Sequence, residues 1–177
     1  VTRNVDRALR LAAALVLATT LWTALHDVSQ AWDSGYYHLP FAARLAGILP
    51  ERVFVFHPAN AARFAGFPLL GERIQGLLWR VAGRPEGANL LALASIPAFA
   101  WFLRRRFAVP AHLTVLGLFA VPLVQTHASS AYVDLPANMA LAVLVLVAIG
   151  AFAEGEGATW GSLVVGASCG AIAANTK

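Results

Sequence analysis

Apolar residues in this chain fall into five long runs, Leu9–His26, Ala88–Leu103, His112–Ala128, Leu135–Phe152 and Ala158–Ala174. Each holds about 16–18 residues, roughly 24–27 Å of helix, at the short end of what crosses a bilayer. Pro97 and Pro122 fall inside the second and third runs, where membrane helices tolerate proline better than soluble ones do. Between the first two runs lies a different pattern. In Tyr36–Leu49, Leu39, Ala42, Ala43, Ala46 and Leu49 recur at helical spacing, with Arg44 elsewhere on the circumference. In Leu69–Val81, Leu70, Ile74, Leu77, Leu78 and Val81 form a stripe, with Glu72, Arg73, Gln75 and Arg80 off it. Two amphipathic helices are predicted there, lying on the membrane surface apolar side down, or packed on the spans. The predicted fold class is therefore an all-α polytopic membrane protein with about five transmembrane helices.

Composition strengthens that reading. Of 177 residues, 59% are hydrophobic and 12% charged, which leaves more apolar surface than one core of this length could hide. A disordered tail, a disulfide-rich secreted domain and an ordinary cytosolic enzyme are excluded. The net charge of +4 would suggest nucleic acid in a soluble chain. Here the arginines flank apolar runs, where they fix topology, so no nucleic-acid partner is expected. Arg3, Arg7 and Arg10 precede the first span and Arg104–Arg106 follow the second. Both clusters belong in the cytoplasm under the positive-inside rule, which sends the loop from Asp27 to Gly87 outside. Six arginines in that loop do not violate the rule, since loops of about 60 residues escape it. The turn 153–157 carries Glu154 and Glu156 and no base, so it is neutral on sidedness. A cleaved signal peptide is the alternative for the first run, but the residues after Ala24 lead into more membrane. The lone Cys169 has no partner for an internal disulfide. Val1 in place of Met, and an end at Thr176-Lys177 with no polar tail, suggest a fragment.

Loops this long between membrane helices usually carry function. The densest polar and aromatic patch is Trp32-Asp33-Ser34-Gly35-Tyr36-Tyr37-His38-Leu39-Pro40. A carboxylate beside an apolar membrane surface is costly while ionised and unpaired, which suits Asp33 to general-base work. Its alternative role is to cap the next helix. His38 has no second His or Cys at ligand spacing, so zinc has little support. Asp134 sits at the mouth of the fourth span, and counting crossings puts it on the same face as Asp33. It too is suited to capping, with Pro136 just inside the helix. Lys177 emerges on that face after the fifth span.

The order of these motifs resembles the GT-C superfamily of integral-membrane glycosyltransferases, in its N-terminal half. Its nearest members would be protein O-mannosyltransferase and aminoarabinose-transferase-like proteins. The residues that carry the likeness are the basic N-terminus, the loop Asp33, Tyr37-His38-Leu39-Pro40, Phe67-Pro68 with Glu72, Ala131-Tyr132-Val133-Asp134-Leu135-Pro136 and Thr176-Lys177. The resemblance covers roughly residues 8 to 177, read as one N-terminal part of such a transmembrane domain. It implies transfer of a sugar from a polyprenyl-phosphate donor to an acceptor hydroxyl at the outer face of the plasma (inner) membrane. Asp33 would be the catalytic base, and Tyr37, His38, Glu72, Asp134 and Lys177 would bind substrate. Many members carry a second acid beside the first-loop Asp; here Ser34 stands in its place. No cofactor is expected, and a divalent metal has no support in the sequence. Membrane lipids are expected partners; the acceptor, whether glycan, lipid or protein, is left open, and the 177 residues alone are expected to be inactive. The competing class is a membrane transporter or structural membrane protein, to which proline-interrupted spans would be suited.

Overall fold

The computed structural model describes residues 2–28, 32–153 and 159–176. The described residues are helical, with no strand among them. The first run becomes α1 (Arg3–His26), a helix of 24 residues. A π-helical turn (Ser34–His38) leads into α2 (Leu39–Leu45), followed by α3 (Pro58–Gly66) and α4 (Leu70–Ala82). A 3-10 turn (Pro85–Asn89) opens α5 (Leu90–Phe107). Then come α6 (Ala111–Phe119), α7 (Pro122–Ala128), α8 (Asp134–Ala153) and α9 (Trp160–Thr176).

Three helical segments are long and apolar enough to cross a membrane: Arg3–His26, Pro85–Phe107 and Asp134–Phe152. A fourth span exists only if α6 and α7 count as one. These two meet at 101° rather than forming the continuous helix expected over His112–Ala128. Pro122 is the cause. It disfavours helical geometry at the residue before it, and Val121 is extended at φ −93°, ψ 115°. The carbonyl of Phe119, freed by the break, accepts the Gln125 side-chain amide at 2.6 Å. The fifth run appears as α9, at 17 residues just short of the other spans. The expected turn at Glu154 and Glu156 lies outside the described residues.

Apolar side chains cover the outside of these helices as well as the inside. Leu141, Val145, Ile149 and Phe152 of α8 are all exposed, so the helix is apolar all round, as a lipid-facing span must be. Hydroxyls within the first span turn back on their own helix: Thr20 donates to the Val16 carbonyl at 2.8 Å. Small residues let the helices approach. Ala13, Ala92, Ala100 and Ala128 join Ile96, Phe119, Leu135 and Met139 in the main core, and Gly166 and Gly170 of α9 lie against Leu144 of α8.

Contacts at the helix termini define two ends of this bundle. At one end Asp6 pairs with Arg10 at 2.8 Å and with His112 at 3.2 Å, and Arg106 lies against Gly150. At the other, Asn89 donates to the carbonyls of Ala24 and Asp27, both at 3.0 Å, tying the end of α1 to the start of α5. The helices of the long loop gather at this second end. α4 reaches from Gly71, beside Thr176 and Val133, to its stop at Gly83, whose φ of +70° is the left-handed conformation that glycine takes without strain.

Candidate functional site

The site is built around the π-helical turn. A π-turn widens the helix by one residue and is common at functional positions. Here the Leu39 N–H reaches back to the Ser34 carbonyl. Asp33, which precedes the turn, has helical dihedrals and its side chain makes no capping bond, so capping does not describe its role. Its carboxylate lies near enough to Tyr37, one turn on, for its charge to act on the phenol. Burial, and then the negative charge of Asp33, raise the Tyr37 phenol above its usual value of 10.0. The Arg63 guanidinium lies 5.6 Å from the Tyr37 ring centroid and opposes that shift.

His38 turns the other way, into the protein. Its Nδ1 stands 2.7 Å from Oε1 of Glu72, and both side chains are about 95% buried, at 5% and 4% exposure. The contact joins residues 34 apart in sequence. It exists because α4 buries a polar and small face rather than its whole apolar stripe. The buried face is Gly71, Glu72, Gln75 and Gly76, while Leu77 and Val81 of the apolar stripe are 60% and 88% exposed. Two glycines permit this. A Cβ at Gly76 would lie 2.4 Å from the Ala42 carbonyl oxygen, and one at Gly71 would lie 2.6 Å from Val133 Cγ1. Leu70, Ile74 and Leu78 of the same stripe are partly buried, and α4 touches both α5 and α9. The other predicted helix is shorter than its pattern: α2 stops at Leu45, and Gly47 at φ +70° leaves Ala46 and Leu49 beyond it.

The segment before α8 closes the site. Gln75 Nε2 donates to the Ala131 carbonyl at 2.8 Å. Tyr132 meets His38 edge-on, at 6.0 Å between centroids, and stacks on His127 at 4.5 Å. Asp134 opens α8 directly after Val133. Thr176 is buried and would meet a Cβ at Gly71 at 3.1 Å, so the end of α9 arrives at this place; Lys177 lies outside the described residues. Three buried oxygens here have no hydrogen-bond partner in the protein: Glu72 Oε2, Gln75 Oε1 and Asn60 Oδ1. An unsatisfied buried polar atom costs about 1–3 kcal/mol, more for a charged group, so three in one region mark a place shaped by something other than stability.

Of the six residues the sequence singled out, His38 and Glu72 are in direct contact, and the charge of Asp33 acts on the Tyr37 phenol. Gln75 and Asn60 were missed as site residues. Gln75 reads as the solvated side of an amphipathic helix, and Asn60 as an ordinary loop position. Asn60 in fact donates to the Tyr36 carbonyl at 2.9 Å and is 6% exposed. No group of three His, Cys, Asp or Glu that could hold a metal occurs among the described residues. The geometry offers a half-buried carboxylate near a phenol, a buried imidazole–carboxylate pair and an arginine near aromatic rings, all on one end of an apolar helix bundle. No family model, curated protein or solved structure matches the chain.

Proposed function

We propose that this chain forms part of a membrane glycosyltransferase that moves a sugar from a polyprenyl phosphate to an acceptor hydroxyl. One observation supports the reading above the others. Segments far apart in sequence, namely Asp33–His38, Glu72, Ala131–Asp134 and the end of α9, converge on one end of a bundle that is otherwise apolar. An amphiphilic donor needs that arrangement, with its polyprenyl tail in the bilayer and its phosphate and sugar at the interface.

In this reading the acceptor hydroxyl attacks the anomeric carbon and gives its proton to Asp33. The bond from the anomeric carbon to the phosphate oxygen breaks, and the phosphate leaves with the electron pair. Tyr37, one turn on from Asp33, steadies the carboxylate and leaves its lone pairs to the acceptor. His38 and Glu72 hold α4 against the π-turn and, with Asp134, line the sugar or acceptor site. Lys177, or Arg63 beside the tyrosines, stabilises the leaving phosphate. In the same reading the arginines at the Asp6 end favour a cytoplasmic position for that end under the positive-inside rule, with the site outside a plasma (inner) membrane. The exposed part of the α4 stripe then rests on the outer membrane surface.

A transporter is favoured by one feature, the bend between α6 and α7. At that break the Phe119 carbonyl accepts the Gln125 side-chain amide at 2.6 Å, so it is already partnered within the protein. The test is product formation. The full-length protein in liposomes, given labelled polyprenyl-phosphate mannose or aminoarabinose and a cell-envelope extract, should release polyprenyl phosphate and transfer label. Movement of label across the membrane with no release of polyprenyl phosphate would support transport instead.

A further inference from the structure

The most exposed aromatic side chain near Asp33 is Trp32, at 72% exposure, although its indole is not loose. It stacks on Tyr36 with centroids 4.7 Å apart and planes 20° from parallel. Tyr36 is itself held twice. Its carbonyl takes the buried Asn60 amide at 2.9 Å, and the Arg63 guanidinium lies 5.8 Å from its ring centroid. An exposed flat surface is therefore fixed in advance, with the Arg63 guanidinium near it and Asp33 next to Trp32 in the chain. The Asn60 Oδ1 has no partner in the protein, though the side chain is more than nine-tenths buried.

Saccharide rings have the matching chemistry. One face of a pyranose carries mostly C–H bonds and stacks on an aromatic ring, while its edge carries hydroxyls that need carboxylate and guanidinium partners. We propose that Trp32, braced by Tyr36, is the platform on which a sugar ring stacks, with its hydroxyls directed to Asp33 and Arg63. The inference deepens the transferase reading and rests on it for the role of Asp33; the stacking itself does not depend on turnover. The ring belongs to the donor lipid or to a carbohydrate acceptor, and the two are separable by experiment. A Trp serving only as an interfacial anchor of the loop would give stability without sugar contact.

The experiment is saturation-transfer NMR on the full-length protein in nanodiscs, with two probes. Methyl α-mannoside and methyl β-glucoside stand for a free acceptor ring, and citronellyl-phosphate mannose stands for the donor. Saturation should reach the ring C–H protons of at least one probe and fall about tenfold in Trp32→Leu, with Trp32→Phe intermediate. The arm that responds names the source of the ring. Melting temperature read in parallel identifies a variant that has merely misfolded, and Trp32→Phe then decides the question. Signals unchanged in either variant, or absent for every probe with wild-type protein, would overturn the platform. Sugar stacking that persists while no Asp33-dependent transfer is found would sink the transferase reading and leave the platform standing.

Discussion

The two ends of the bundle both contain acids next to bases, yet they are built on opposite terms. At the first end, Asp6 is 38% exposed and its partners Arg10 and His112 are 65% and 11% exposed, so Asp6 and Arg10 stay in contact with water. Such pairs contribute about 0–1 kcal/mol and weaken with salt. At the second end, His38 and Glu72 are removed from solvent almost completely, and one Glu72 oxygen has no partner in the protein. Removing charge from water and leaving a lone pair unmet is expensive. The difference teaches that the first set of charges needs only to be near the membrane edge, while the second must be in one place. A positional need of that kind belongs to a site.

The largest expected effect tests whether the ends are on opposite sides of a membrane. In a Cys169→Ser background, Ala59→Cys should react with an impermeant thiol reagent in intact cells, and Ala108→Cys only after lysis. Both positions are exposed, so access is set by the membrane and not by packing. Equal labelling of the two would dissolve the comparison. Next is the buried pair. Glu72→Ala strands the His38 imidazole and should lower unfolding free energy in detergent by about 3 kcal/mol, whereas Glu72→Gln keeps an acceptor and should lose less than half of that. Equal losses would mean that the charge matters and the hydrogen bond does not.

The close approach behind the pair can be broken separately. Gly76→Ala drives a methyl group into the Ala42 carbonyl and should cost about 1–3 kcal/mol by parting α2 from α4. Gly170→Ala, whose methyl would sit at an ordinary 3.5 Å from Leu144, should stay within about 0.5 kcal/mol of wild type. Similar losses at the two glycines would show that the site end is no more tightly fitted than the spans.

The smallest effect is a titration. Folding favours the neutral Tyr37 phenol, so above pH 10.0 the folded chain keeps a proton that the unfolded chain has lost. Stability should therefore be independent of this group below that pH and fall as pH rises through the window up to its raised value. Tyr37→Phe should remove that part of the alkaline loss, and Asp33→Asn should bring the Tyr37 absorbance titration back toward free tyrosine. An unmoved titration in Asp33→Asn would separate the two side chains.

The spans were legible because hydropathy over 17 or more residues outweighs local detail: Leu9–His26 and Leu135–Phe152 reappear inside α1 and α8. The break in the third run was not, since Pro122 reads the same whether a helix kinks or turns through 101°. Within the site, Asp33, Tyr37, His38 and Glu72 stood out as polar residues beside apolar ones. Their pairing did not, because it depends on which face of α4 is buried. The periodicity there points to the leucine stripe. Two glycines, which carry no hydrophobic signal, instead admit the polar face to contact with α2 and Val133. Asn60 and Gln75 were hidden for the same reason, as polar residues whose burial only the tertiary fold decides.

The central proposal is that the second end performs chemistry and the first does not. One assay reads it: turnover of a polyprenyl-phosphate sugar by full-length Asp33→Asn and Asp6→Asn proteins, side by side at matched folded concentration. Asp33→Asn preserves size and capping capacity but cannot take a proton, and turnover should fall by about 100-fold or more. Asp6→Asn, at the exposed end, should stay within about twofold of wild type. Near-normal turnover of Asp33→Asn, or an equal loss in both variants, would contradict the account.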